Sequence, residues 1–520
     1  MKLSRRPFTC VQCLLSRPQQ PRPRQFHGSS RLRSAAAATA DPATIRPTIA
    51  PKAVVDIKHI RQNPALYERN CVERNYKAQA AYPARIIELF DQWQARQRDG
   101  RALRERSNLL RRELANPATT RGDSGGDEEA AALRDLRARP RDAVLAEARD
   151  LKDRIAVIEA DEGALTDEMQ RLAVAIPNLT SDATPRGSEP FVLGYINEHP
   201  EGEAAAASDR IWRSHVHIGA ELGLLDFAGA ATTSGWGWYY LLGEAAQLEQ
   251  ALVAYALATA TRSGWTQVSA PSVVYGHMAA ACGFQPRDAH GEQQVYGIAQ
   301  SRADAERGRP ELVLAGTAEI PLAGMKADAA LDESELPLRR VGVSRCFRAE
   351  AGARGVDTKG LYRVHEFTKV ELFAWSAPDG ASAADVFDEM VDMQTEMLQS
   401  LGLHCRVLEM PSHDLGASAT RKCDIEAFFP SRRERNGGWG EVTSASICTD
   451  YQTRRLATRV RVDGKMTYPW TVNATAMAVP RVLAALLENG WDESDMTVTI
   501  PEVLRPWMDG KEKIGRRKIR

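Results

Sequence analysis

The stretch that decides the fold is Phe347-Arg348-Ala349-Glu350, then a loop containing Gly352, Gly355 and Gly360, then Leu361-Tyr362-Arg363-Val364-His365-Glu366-Phe367-Thr368-Lys369-Val370-Glu371. It reads as strand, loop, strand, so two adjacent strands run antiparallel. On the returning strand, side chains alternate between faces. Arg363, His365, Phe367, Lys369 and Glu371 therefore share one face, and Val364, Thr368, Val370 and Leu372 mostly occupy the other. A solvated sheet face could carry such charges, but an aromatic ring among them points to a ligand. Guanidinium groups bind phosphate oxygens bidentately, a ring stacks on a base, and a carboxylate holds an ammonium group.

Outward from this hairpin, from about residue 211 to residue 520, short β-rich, Gly-punctuated runs mix with helical stretches at Glu244–Arg262 and residues 383–401. Helices do not regularly separate the strands. The pattern predicts an α+β domain on a mostly antiparallel sheet rather than a doubly wound parallel one.

Upstream the period changes. Ile86, Leu89, Trp93, Leu103, Leu110 and Leu114 recur at alternating spacings of three and four, with interruptions at Arg96, Gly100 and Ser107. Val144, Ala148, Leu151, Ile155, Ile158, Leu165, Met169, Leu172 and Ile176 resume the rhythm with one break at Glu162. The Gly-, Asp- and Pro-rich run at 116–140 separates the two seams and reads as a tip. An intramolecular antiparallel coiled-coil arm over residues 53–180 is expected, because chain reversal brings the second seam back onto the first. Pro177 and the polar run that follows end the arm, and residues 181–210 read as a linker.

The chain has 520 residues, enough for two to three domains, and carries 68 Lys plus Arg against 68 Asp plus Glu. An RNA partner would be held by local basic patches, not by a global positive field. The 8 cysteines follow no repeated spacing, so neither a disulfide framework nor a zinc site is expected, even at Cys10 and Cys13 near His27. No run of about 18 apolar residues occurs, which argues against a membrane span. Residues 1–40 carry Lys2, Arg5, Arg6, Arg17, Arg22, Arg24, Arg31 and Arg33, with no acid before Asp41. That composition reads as a mitochondrial transit peptide and implies the matrix. A basic arm touching RNA is the alternative.

The hairpin stretch resembles motif 2 of the class II aminoacyl-tRNA synthetases, and its Gly-Leu-x-Arg-x-His-x-Phe-x-Lys-Val-Glu form is similar to the seryl branch. Gly264-Trp265-Thr266-Gln267-Val268-Ser269-Ala270-Pro271 resembles motif 1, the dimer-forming element of that class. Thr471-Val472-Asn473-Ala474-Thr475, leading through Pro480 into Arg481 and a helix closed by Gly490, resembles motif 3. Glu441-Val442-Thr443-Ser444 is similar to the strand before motif 3, and Thr317-Ala318-Glu319 to the element of the seryl branch that holds the amino acid.

The resemblance implies ATP and serine as substrates, with Arg348 and Arg481 as catalytic residues. ATP would be bound by Arg348, Glu350, Val364, Phe367, Glu441, Ser444 and Arg481, and serine by Thr317, Glu319, Arg348, Glu371, Asn473 and Thr475. Glu441 and Ser444 would hold Mg2+, whose preference for oxygen donors they suit. It also implies a homodimer through motif 1 and an arm that grips tRNA(Ser) with residues such as Arg98, Arg101, Arg104, Arg111 and Arg112. A silent paralogue, or a ligase that loads a carrier protein, are the rival readings. His217-Ile218-Gly219 resembles the His-Ile-Gly signature of class I synthetases, but no matching downstream loop accompanies it, so His217 reads as structural.

Overall fold

A computed structural model describes residues 50–115, 136, 138–198, 213–284, 294–350 and 360–516. The expected transit segment and the Gly352 and Gly355 loop lie outside them, as does the arm tip at 116–135.

Two long helices, α1 (Tyr82–Ala115) and α2 (Arg141–Ala175), form the arm. Near its base Ile86 and Leu89 meet Met169 and Leu172; toward the tip Leu110 meets Val144 and Leu151. Beside these clusters charges pair across the helices, Arg104 with Glu162 at 2.7 Å and Arg106 with Glu147 at 2.7 Å. Such pairs suit the margins of an apolar seam only two helices wide.

The arm's root is fixed by polar contacts. Asn178 Nδ2 donates to the carbonyls of Ser418 and Cys448, both at 2.9 Å, and Asn70 Nδ2 donates to the Asn178 carbonyl at 3.0 Å.

The second region is built on β1 (Phe191–Ile196), a short helix α3 (His215–Glu221), α4 (Glu244–Arg262), β2 (Thr266–Ser269), β3 (Leu338–Phe347) and β4 (Glu366–Ser376). There follow α5 (Gly380–Ser400), β5 (Cys405–Glu409), β6 (Arg421–Phe428), β7 (Trp439–Thr449), α6 (Tyr451–Leu456), β8 (Trp470–Ala478) and α7 (Val479–Asn489). The eight strands form one sheet in the order β1-β5-β6-β7-β8-β4-β3-β2, antiparallel throughout except for the parallel pair β2 and β3. This is the α+β architecture expected from the sequence.

The helices cover one face of the sheet. Val386, Met390 and Met397 of α5, Leu248 and Leu252 of α4 and Leu483 of α7 join Val370, Leu372 and Ala374 of β4 in the main core. Full burial of a side chain such as Leu372 stabilises by about 1.5–3 kcal/mol. The period-2 alternation of β4 thus sends Lys369 and Glu371 to the opposite, functional face.

Two details differ from the sequence reading. β1 lies within the stretch read as linker and pairs with β5 at the sheet edge. The returning strand of the hairpin begins at Glu366 instead of Leu361. The physical reason is that backbone donors before Glu366 have other acceptors: Leu361 N–H donates to His215 Nε2 at 3.0 Å, and His365 N–H to the Gly237 carbonyl at 3.0 Å. Arg363 and His365 are therefore placed by these contacts, not by strand parity, which governs only from Phe367 onward.

Candidate active site

Arg348, just beyond β3, and Phe367 on β4 approach each other, the guanidinium carbon 5.4 Å from the ring centroid. Arg348 Nε also donates to the Gly316 carbonyl at 3.4 Å. Glu350 follows in the left-handed region at φ 48° and faces Arg363 at 3.8 Å.

Arg481 lies in the first turn of α7, where Pro480 tolerates the absence of a helical donor and the remaining N–H groups favour anions. Its Nε donates to the Tyr362 carbonyl at 3.1 Å and its Nη1 to a Glu441 carboxylate oxygen at 3.1 Å. Its guanidinium also lies 4.7 Å from the Tyr362 ring centroid.

These groups converge on a cleft whose walls include Arg348, Glu350, Val364, Phe367, Glu441 and Arg481. Ser444 and Thr475 also line it. Burial alone would raise the Glu441 pKa, but Arg481 and then Lys422 hold it down to about 2. Its carboxylate is therefore ionised at neutral pH, and its side chain keeps 37% of its surface open.

A hard cation that retains waters and takes phosphate oxygens needs few protein donors. Glu441 and Ser444, a carboxylate and a hydroxyl on the cleft wall, fit that requirement. Among the described residues no cluster of three or more His, Cys, Asp or Glu offers a closed metal cage.

A second, more deeply buried set adjoins the cleft through Thr475. Thr475 Oγ1 lies 3.5 Å from Glu371 Oε2, and Lys369 Nζ lies 3.3 Å from Thr475 Oγ1. Lys369 and Glu371 pair at 2.5 Å. Thr317 and Glu319 are buried, and Thr317 Oγ1 accepts from the Glu319 N–H at 3.3 Å, which leaves the hydroxyl proton free to point elsewhere. Burial first and the Glu371 charge second push the Glu319 carboxyl up to about 8. Asn473 shares the sheet face of Thr475, yet its Oδ1 accepts from Cys448 Sγ at 3.4 Å.

Sequence reasoning gave no role to Lys369, Tyr362, Gln452 or His215. Lys369 was legible in principle, two residues from Glu371 on one strand face. Gln452 and His215 act through tertiary contacts that leave no local pattern. His217 is exposed and bonds Ser214 Oγ at 2.9 Å, whereas His215 bridges Glu488 on α7, 2.8 Å away, and Leu361 of the hairpin.

Residues 302–490 match the family model for the tRNA synthetase class II core domain (G, H, P, S and T), and residues 54–180 match that for the seryl-tRNA synthetase N-terminal domain. The chain is 46% identical over 347 residues to the mitochondrial serine–tRNA ligase of Saccharomyces cerevisiae, covering 65% of this chain and 72% of that protein. It is 35% identical to the mitochondrial serine–tRNA ligase of Schizosaccharomyces pombe, covering 88% of each. Among solved structures, a seryl-tRNA synthetase from Pyrococcus horikoshii complexed with ATP superposes with a TM-score of 0.75 at 31% identity, covering 89% of this chain and 100% of that one.

Proposed function

This chain belongs to the seryl-tRNA synthetase family, a serine–tRNA ligase, and we propose that its cleft activates serine with ATP and passes the seryl group to tRNA(Ser). The observation that carries the assignment of residues is the convergence of Arg348, Arg481, Phe367 and Glu350 on one cleft that reaches Glu371 through Thr475.

In this reading Arg348 binds the α-phosphate and stabilises the charge that develops as the serine carboxylate attacks it in line, forming seryl-adenylate and releasing pyrophosphate. No protein nucleophile is needed, because positioning and electrostatics carry the step. Phe367 and Arg481 sandwich the adenine, Glu350 accepts from its amino group, and the Val364 backbone contacts its edge. Glu371 holds the serine ammonium, while Thr317, Glu319 and Thr475 read the hydroxyl and Asn473 adds a polar wall. Glu441 and Ser444 would hold Mg2+, which supplies positive charge against the phosphates when bound.

Serine is separated from alanine because groups built for a hydroxyl are left unpaired by a methyl, and threonine is refused by size. The α1–α2 arm takes the RNA, and α4 with β2 forms the homodimer. The basic leader and the names of the yeast relatives support a mitochondrial, matrix location.

Serine-dependent exchange of labelled pyrophosphate into ATP, followed by charging of tRNA(Ser), tests the reading. Exchange with serine and charging are expected; exchange without charging would favour a carrier-protein acceptor, and no exchange would overturn the assignment. Arg348→Ala should reduce exchange by at least about 10²–10³-fold, the order seen when one preorganised charge-stabilising donor is lost. Its sparse contacts predict a retained fold, and unchanged exchange would refute its role.

A further inference from the structure

Gln452, on α6, is wholly buried, and its amide serves one group of the serine pocket. Its Nε2 donates to Glu319 Oε1 at 2.6 Å, and its Oε1 accepts from Thr471 Oγ1 at 2.6 Å. Thr471 comes from β8, the strand that also carries Asn473 and Thr475. A buried amide must be hydrogen-bonded, and most buried amides in cores are satisfied by backbone. The donor end of Gln394 behaves in that way, its Nε2 meeting the Ser444 and Thr475 carbonyls, both at 2.8 Å, besides Thr443 Oγ1. Gln452 instead spends its donor on a carboxyl side chain, and Thr471 holds its other end.

The short helix that bears Gln452 is itself anchored on its far side. Arg455 Nη2 donates to the Val174 carbonyl at 2.9 Å, and the Arg454 carbonyl accepts from the Val54 N–H at 2.9 Å. Gln452 is thus held by the root of the arm behind it and by β8 beside it. This fixes the direction of its bond to Glu319.

We propose that Gln452 is a positioning residue for serine selection: it engages Oε1 of Glu319, so that Oε2 is the oxygen presented to the substrate hydroxyl. Without the amide, the Glu319 side chain would rotate among rotamers, and the substrate hydroxyl would meet a carboxyl group of undefined place. Thr317 Oγ1, which accepts from the Glu319 N–H, is the matching donor. The inference rests on the reading of Glu319 as a serine ligand.

The test compares wild type, Gln452→Leu and Thr471→Val in serine- and ATP-dependent pyrophosphate exchange, with alanine as competitor and thermal unfolding as a fold check. Wild-type exchange with serine is the control for the site itself; its absence would sink the assignment of the pocket and this inference with it. Gln452→Leu is expected to raise KM for serine about tenfold or more, the effect of one lost bond to a charged or buried acceptor, and to leave KM for ATP within about twofold. The preference for serine over alanine should fall with it, because alanine makes no use of Glu319. Thr471→Val should act in the same direction with an effect of about two- to fivefold, and it remains informative if Gln452→Leu does not fold. KM values for serine and ATP that rise together with a lowered unfolding temperature and an unchanged serine-to-alanine ratio would show a merely structural role and overturn the proposal. So would wild-type kinetics in both variants.

Discussion

Lys369 Nζ and Glu371 Oε2 meet at 2.5 Å, two residues apart on one face of β4, where both side chains are almost wholly buried. With so little of either side chain exposed, each charge is balanced chiefly by the other. Removing one member leaves an uncompensated buried charge, which costs about 3–5 kcal/mol, whereas replacing both with apolar side chains is often close to neutral. Lys369→Met is therefore expected to lower stability in chemical denaturation by that amount. Lys369→Met combined with Glu371→Leu should recover most of the loss while serine-dependent exchange stays abolished. A Lys369→Met protein as stable as the parent would refute the pairing.

That pair also shows how far the sequence could be read. From Phe367 onward the alternation on β4 is imposed by the core behind it, where Val370 and Leu372 are buried, so the face of Lys369 and Glu371 is legible from spacing alone. Before Glu366 no ladder exists, and Arg363 and His365 are placed by Glu350, Tyr296 and Gly237, contacts at long sequence separation. β1 escaped because an edge strand with Phe191, Leu193 and Tyr195 exposed shows no alternation between core and solvent. The arm was legible because its seam repeats, but the fate of Arg104 was not, since its partner Glu162 lies 58 residues away.

Glu319 makes stability depend on pH with a definite sign. Its folded-state pKa, pushed up to about 8 by burial and by Glu371 against the opposing charges of Lys369 and Arg348, exceeds the ordinary 4.5 of the unfolded chain. Between those values the folded protein binds more protons than the unfolded one, so this residue's contribution falls as pH rises through the window and levels off above it. Glu319→Gln, neutral and of the same shape, removes that slope. Its unfolding temperature relative to wild type, at one protomer concentration, should increase steadily from about pH 5 to pH 8. A difference independent of pH would show that Glu319 is ionised throughout.

The arginines of the arm divide into two kinds. Arg104 is tied to Glu162 at 2.7 Å, with the Glu162 side chain only 12% exposed, so it holds α1 to α2. Arg101 is 83% exposed and reaches Glu105 only at 3.8 Å, and Arg98 and Arg111 are exposed on the same helix. An exposed pair of that kind contributes little to stability. Phosphate contacts, in contrast, release counterions, and each one lost lowers the slope of log affinity against log salt by roughly 0.7–0.9. Arg98→Ala with Arg101→Ala and Arg111→Ala is therefore expected to weaken tRNA(Ser) binding, flatten its salt dependence by about two units and leave RNA-free pyrophosphate exchange unchanged. Arg104→Ala should instead lower the unfolding temperature of the arm, because its mostly buried partner is left without a counter-charge. A triple variant with the wild-type salt slope would place the RNA on another surface of the arm, and an Arg104→Ala protein of wild-type stability would return that residue to the group available for phosphate.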